Sequence, residues 1–141
     1  MKSPQQVYKY MTPSPHSIGR EQTLATAHRM MRDHRIRHLP VLDAGVLVGL
    51  VSERDLTFLE TLRGVDPSTD TVEEAMTPDP YFVDLTAPVK DVALAMIEHK
   101  YGSAIVVDRG NVVGIFTTID ALRALIDIEH RAVSPVERPV R

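Results

Sequence analysis

Met11-Thr12-Pro13-Ser14-Pro15 returns as Met76-Thr77-Pro78-Asp79-Pro80, an offset of 65 (76 − 11). A repeat at fixed spacing constrains a fold more than any local propensity does. Held at that offset without a gap, Val7 meets Val72, Met31 meets Met96, His34 meets His99 and Val41 meets Val106. Asp43 meets Asp108, Gly45 meets Gly110, Val48 meets Val113, Gly49 meets Gly114 and Asp55 meets Asp120. Identity is about a quarter over roughly 54 positions, against about 6% expected by chance. The chain is a duplication.

Each copy reads alike. Thr23-Leu24 opens an amphipathic helix with Leu24, Ala27 and Met31 on one face, and Val89, Val92 and Met96 repeat that spacing. Apolar runs follow at Leu39–Leu42 and Ala104–Val107 and read as strands. Asp43-Ala44-Gly45 and Asp108-Arg109-Gly110 supply hairpin turns. Second strands are expected over 46–51 and 111–116, and closing helices over 53–63 and 118–129. The reading divides the chain into a repeat at 7–64, a linker at 65–71, a repeat at 72–129 and a disordered tail at 130–141. A repeat of this size buries little core alone, so the two should pack together.

Composition narrows the chemistry. The absence of Cys removes disulfides, thiolate zinc sites and cysteine nucleophiles together. Five aromatic residues per hundred and no Trp leave single-stranded nucleic acid without a stacking platform. Residues 20–38 hold five Arg against Glu21 and Asp33, while residues 60–98 carry a net charge of −7. The overall charge of −3 argues against wholesale nucleic-acid binding. The six His lack metal-ligand spacing, so no metal is expected. There is no run apolar enough to span a membrane and no secretory pattern near Met1. A cytoplasmic protein is expected, and no nucleophile–base grouping marks an enzyme.

Met-Thr-Pro, Leu39-Pro40-Val41-Leu42-Asp43, Gly49-Leu50-Val51-Ser52-Glu53-Arg54-Asp55 and Gly114-Ile115-Phe116-Thr117-Thr118-Ile119-Asp120 resemble the CBS (cystathionine β-synthase) domain family over about residues 7–128. The resemblance implies an α+β fold, two βαββα repeats packed as one pseudo-twofold Bateman module. It implies a regulatory sensor of an adenine nucleotide (AMP, ADP, ATP or a related adenosyl ligand) that acts through an effector protein and needs no cofactor. One cleft would take Ser52, Asp55 and His38, with adenine against Val92, Tyr101 and Gly102. The other would take Thr117, Asp120 and Ser103, with adenine against Ala27, Ile36 and Arg37. Arg35, Arg37 and His38 make the first cleft the better equipped for charge.

The residues offer a physical reason. A strand that ends in Ser or Thr and enters a helix presents unpaired N–H groups to an anion, and the Asp suits a ribose diol. The competing reading is a capping box, in which Ser52 and Asp55 serve only the helix. Ala27, Ile36 and Val92 read equally as core. The runner-up function is a dimeric interaction module with vestigial clefts. A homodimer through the closing helices is expected, because Ile119, Leu122 and Ile126 form one apolar stripe and Ala121, Leu125 and Ile128 a second.

Overall fold

The 65-residue offset is written into the backbone as well as the sequence. A computed structural model describes residues 4–132. In it left-handed conformation falls in pairs, Gly64 apart: Ser14 and Asp79 (φ 48° each), Arg35 and Lys100 (55° and 58°), Ala44 and Arg109 (49° and 53°), Gly45 and Gly110 (83° and 80°). Two successive positive-φ residues make each hairpin a tight primed turn, whose twist suits its strands.

In chain order the elements are β1 (Thr12–Pro13), β2 (Ile18–Gly19), α1 (Leu24–His34), β3 (His38–Asp43), β4 (Val46–Ser52), α2 (Glu53–Glu60), α3 (Val72–Ala75), β5 (Thr77–Pro78), β6 (Phe82–Asp84), α4 (Val89–His99), β7 (Ser103–Asp108), β8 (Asn111–Thr117) and α5 (Thr118–Ala132). They form two compact α+β units. The first comprises residues 14–80 and 109–112; the second comprises 81–108 with the segments before Ser14 and after Val112.

The first unit's sheet runs β2-β3-β4-β5, and the second's runs β6-β7-β8-β1. β2 and β6 pair in parallel with β3 and β7, while β4 and β8 pair antiparallel with β5 and β1. The short Met-Thr-Pro strand of each copy therefore completes the sheet of the other. Glycine makes this possible. A Cβ on Gly49 would overlap the sulfur of Met76, and one on Gly114 would overlap that of Met11.

The segment between the repeats has its own work. Asp66 Oδ1 accepts from Ser68 N and Oγ at 3.0 and 2.7 Å, fixing a turn. The carbonyls of Asp70 and Pro67 then accept from Leu24 N and Ala25 N, two first-turn donors of α1 that the helix cannot satisfy itself. Gln5 O plays the same part for Val89 N at α4. The expected linker is thus an ordered cap on the first unit.

Leu24, Ala27 and Met31 are buried, as are Val89, Val92 and Met96, which the helical spacing predicted. Each buried Val, Leu or Met among them contributes about 1.5–3 kcal/mol. The closing helices differ from expectation. α2 stops at Glu60, with Thr61 as its cap, short of residue 63. α5 continues to Ala132, so residues 130–132 of the expected tail are helical, and 133–141 lie outside the described residues. The two apolar stripes also need correction. Small Ala121 and Ala124 turn inward on α5, while Ile119, Leu122, Leu125 and Ile126 are all exposed. Small residues let the helix sit close to its sheet, and the large ones remain outside.

Candidate functional site

In the first unit, antiparallel pairing of β3 with β4 sets His38 opposite Ser52. The chain passes from β4 straight into α2, with Ser52 in extended conformation as N-cap. Ser52 Oγ accepts from Asp55 N at 3.0 Å, and Asp55 Oδ2 accepts from Ser52 N at 2.9 Å. The capping box is therefore made, and it does more than hold the helix. It engages one carboxylate oxygen of half-exposed Asp55 and fixes the carboxylate at the first turn, where Asp55 N and Glu53 N are already bonded to Ser52 Oγ and the Arg37 carbonyl. His38 is half-buried, and that burial holds its pKa below the usual histidine value; Asp55 pulls it up and Arg37 down. A neutral imidazole in reach of a helix N-terminus can accept a proton once an anion arrives.

The other residues expected to serve this ligand class sit differently. Arg37 is exposed on the connection into β3, and its carbonyl accepts from Glu53 N at 2.9 Å. Ile36 is partly buried beside the first core. Ala27 is fully buried within it.

The second unit repeats the arrangement with tighter closure. Thr117 Oγ1 accepts from Asp120 N at 3.3 Å. Asp120 Oδ2 accepts from Thr117 N at 2.9 Å, from the Thr117 hydroxyl at 3.1 Å and from the Thr12 hydroxyl at 3.4 Å. Arg123 stands 3.7 Å from Oδ1. Asp120 is only 2% exposed, in contrast to Asp55. Sequence reading missed Thr12; its motif was visible, but nothing local tells that its strand crosses to β8.

At the position equivalent to His38 stands Ser103, 3% exposed, and its Oγ has no hydrogen-bond partner. A buried hydroxyl left unpaired costs about 1–3 kcal/mol, so such a group calls for an explanation. Next to it Gly102 is exposed, and its carbonyl accepts from the Thr118 hydroxyl at 3.4 Å. Tyr101 is exposed and lies in a stack of rings, 5.0 Å from Tyr81 and 5.1 Å from His99. Val92 is wholly inside the second core. So Ser52, Asp55 and His38 gather in one unit and Thr117, Asp120 and Ser103 follow the same plan in the other, whereas Ala27 and Val92 offer no surface of their own. Among the described residues, no three His, Asp or Glu side chains are placed to share a metal ion. No described helix is long and apolar enough to cross a membrane.

Known proteins share this plan. Hypoxic response protein 1 of Mycobacterium tuberculosis is 33% identical over 109 residues, covering 77% of this chain and 76% of its own. The crystal structure of CBSX2 in complex with AMP superposes with a TM-score of 0.77 at 29% identity, covering 88% of this chain and 98% of that one. The CBS domain pair of MJ0100, in complex with 5′-methylthioadenosine and S-adenosyl-L-methionine, gives 0.80 at 26% identity over 89% of this chain and 99% of its own. The CBS domain model matches twice, at residues 7–60 and 72–127. With two matches spanning most of its length and the same pair of sheets, the chain belongs to the CBS domain family as a tandem pair.

Proposed function

We propose that this protein is a regulatory sensor of an adenine nucleotide that acts on a partner protein and is not itself a catalyst. The observation that carries the reading is the unpaired, buried Ser103 hydroxyl beside the Thr117–Asp120 cap. A phosphate oxygen there would satisfy Oγ as well as the free N–H groups of α5. His38 beside Ser52 and Asp55 is the counterpart in the first unit. The AMP and S-adenosylmethionine complexes of related CBS proteins support the ligand class.

In this reading Asp55 and Asp120 accept from ribose hydroxyls, and Ser52, His38, Thr117 and Ser103 meet phosphate. Tyr101, Gly102, Ile36 and Arg37 offer surface to adenine, while Ala27 and Val92 act through the cores that support them. Arg37 and His38 against Gly102 and Ser103 make the first unit's residues suited to more highly charged ligands.

A thermal-shift and calorimetric panel of AMP, ADP, ATP, NADH and S-adenosylmethionine tests the reading, because a ligand selective for the folded state raises its melting point. Affinities of micromolar to millimolar, roughly −4 to −8 kcal/mol, are expected. Arg37→Ala with His38→Ala should weaken ATP more than adenosine. No heat and no shift at millimolar ligand would leave the interaction-module reading, which the exposed apolar residues of α4 and α5 favour.

A second copy is the proposed occupant of that apolar surface. Leu94 and Ile97 on α4 and Ile119, Leu122, Leu125 and Ile126 on α5 are exposed, with Ile97 at 73%. A patch of this kind on one chain is satisfied by the same patch on another, as in a twofold homodimer.

A further inference from the structure

Asp120 and Asp55 stand at matching places in the two repeats, yet one carboxylate is closed and the other open. Among the described residues Asp55 is half-exposed and accepts from Ser52 N alone. Asp120 is 2% exposed, and three donors converge on its Oδ2. Two of them, the N–H and hydroxyl of Thr117, belong to the helix cap itself. The third is the hydroxyl of Thr12, which lies 108 positions away in the chain and is itself exposed. At 3.4 Å it is the longest of the three contacts, and an oxygen with two lone pairs serves a third donor poorly.

The segment that carries Thr12 is held unevenly. Upstream, Val7 is wholly buried in the second core, and Val7 N and Tyr8 N donate to the carbonyls of Ala87 and Leu85 at 2.8 and 3.1 Å. Tyr10 Oη donates to Asp127 Oδ2 on α5 at 2.5 Å, and Arg131 Nε reaches the same oxygen at 3.0 Å. Beyond that clamp the two-residue strand β1 lies on the edge of its sheet, with Thr12 opposite Ile115 and Pro13 opposite Gly114. Pro13 has no N–H, so at this register Thr12 and Ile115 are the pair that exchanges backbone bonds. The next residue, Ser14, has left-handed backbone, φ 48°, and opens the first unit.

We propose that Thr12 is a displaceable latch on Asp120, and that its release passes occupancy of the second unit's ligand site to the chain entering the first unit. The proposal rests on the nucleotide-sensor reading, in which Asp120 accepts from a ribose hydroxyl. A ribose diol brings two hydroxyl donors to the carboxylate where Thr12 brings one. Displaced, Thr12 takes the tip of β1 with it, while Val7 and Tyr10 stay fixed. The movement is confined to residues 11–14, between the Asp127 clamp and the first unit. Coupling of ligand and strand is reciprocal, so whatever loosens the Thr12 contact tightens the ligand. Thr77, the equivalent of Thr12 in the other repeat, gives Asp55 no such bond among the described residues.

The test is calorimetry with adenosine on the full chain carrying Asp55→Ala, which leaves the second unit's site to be read by itself. Thr12→Val, Thr12→Ser and Thr77→Val are then added singly. Thr12→Val should tighten adenosine about threefold to tenfold, the typical effect of removing one competing hydrogen bond. Thr12→Ser keeps the hydroxyl, and Thr77→Val alters the other repeat, so both should match Asp55→Ala alone. The parent chain gives an independent reading. Saturating adenosine should quicken amide hydrogen exchange at Thr12 and Ile115 and leave Val7 and Tyr8 unchanged. An affinity that Thr12→Val leaves the same or weakens would overturn the latch alone, with the nucleotide reading intact. Equal tightening by Thr12→Ser, or unchanged exchange at Thr12 and Ile115, would overturn it as well. No adenosine binding to the parent or to Thr12→Val would sink the nucleotide reading and the latch with it.

Discussion

The two units agree on their inner faces and disagree on their outer ones. Leu24, Ala27 and Met31 match Val89, Val92 and Met96, all buried. The outward positions of the same helices have diverged: Arg29 and Arg32 correspond to Leu94 and Ile97, and Thr57, Glu60 and Thr61 to Leu122, Leu125 and Ile126. In the first unit His28 and Glu60 join α1 to α2 through a 2.5 Å hydrogen bond. In the second, Ala93 and Leu125 occupy those places. After duplication the buried face is held by packing, because a volume change there is costly. The outer face is free to specialise, in one unit toward charge and in the other toward apolar surface.

The largest expected effect tests that division. Leu125→Glu gives the second unit the residue of the first, and it should convert a dimer to a monomer in sedimentation or light scattering. A carboxylate left unpaired in an apolar interface costs about 3 kcal/mol or more, roughly a hundredfold in dissociation constant. Glu60→Leu, the reverse exchange, should leave association unchanged. A parent protein that is monomeric at tens of micromolar would remove the contrast altogether.

Next in size is the difference between the two caps. Asp120 is buried and accepts from three donors, while Asp55 is half-exposed and serves one backbone N–H. Asp120→Ala should cost about 2–3 kcal/mol in urea unfolding, since buried donors lose their acceptor. Asp55→Ala should cost only about 1 kcal/mol, an ordinary cap. Both should weaken nucleotide binding. Equal stability losses would mean that burial of Asp120 is energetically irrelevant.

Why the sequence disclosed so much, and where it stopped, can be seen in particular residues. Helical spacing identified the buried face of α1 and α4, and the hairpins followed from Asp-x-Gly, because both signals are local. Strand exchange was hidden, since Met11 and Gly114 are more than a hundred positions apart and only packing joins them. The orphan Ser103 Oγ was equally invisible, because a serine beside glycine reads as a loop until its burial is known. On α5 the stripes were visible but their orientation was not. Neither stripe of large residues turned inward; the face carrying the small Ala121 and Ala124 did.

Glycine at the strand crossing offers a smaller and more local contrast. At Gly114 the three atoms nearest an added methyl all belong to the flexible Met11 side chain, but at Gly49 one of the three is the carbonyl oxygen of Thr77, 3.1 Å away. Backbone cannot swing aside as a methionine can. Gly49→Ala should therefore cost about 1–3 kcal/mol, as overpacking usually does, and Gly114→Ala less. Thermal denaturation of the two variants measures the difference, and a larger loss at Gly114 would contradict the packing account.

The smallest effect concerns pH, and it separates His38 from Ser103. Burial holds the His38 pKa in the folded state below its ordinary value of about 6.5, which the unfolded chain keeps. The unfolded state thus takes up a proton first as pH falls. Stability associated with neutral His38 is complete above about pH 6.5 and is lost as pH descends from there through the lower folded value. A bound phosphate reverses the preference, since its negative charge favours imidazolium. Ligand binding at the first unit should then take up a proton just below pH 6.5 and tighten modestly on mild acidification, until the phosphate itself protonates. Ser103 has no such group, so the second unit should lack this dependence. His38→Ser, which copies the second repeat, should flatten the first unit's profile and reduce the acid loss of stability. Calorimetry of AMP in buffers of different ionisation heat reads the proton uptake directly. An unchanged uptake in His38→Ser would assign it elsewhere and leave the two units alike in their response to pH.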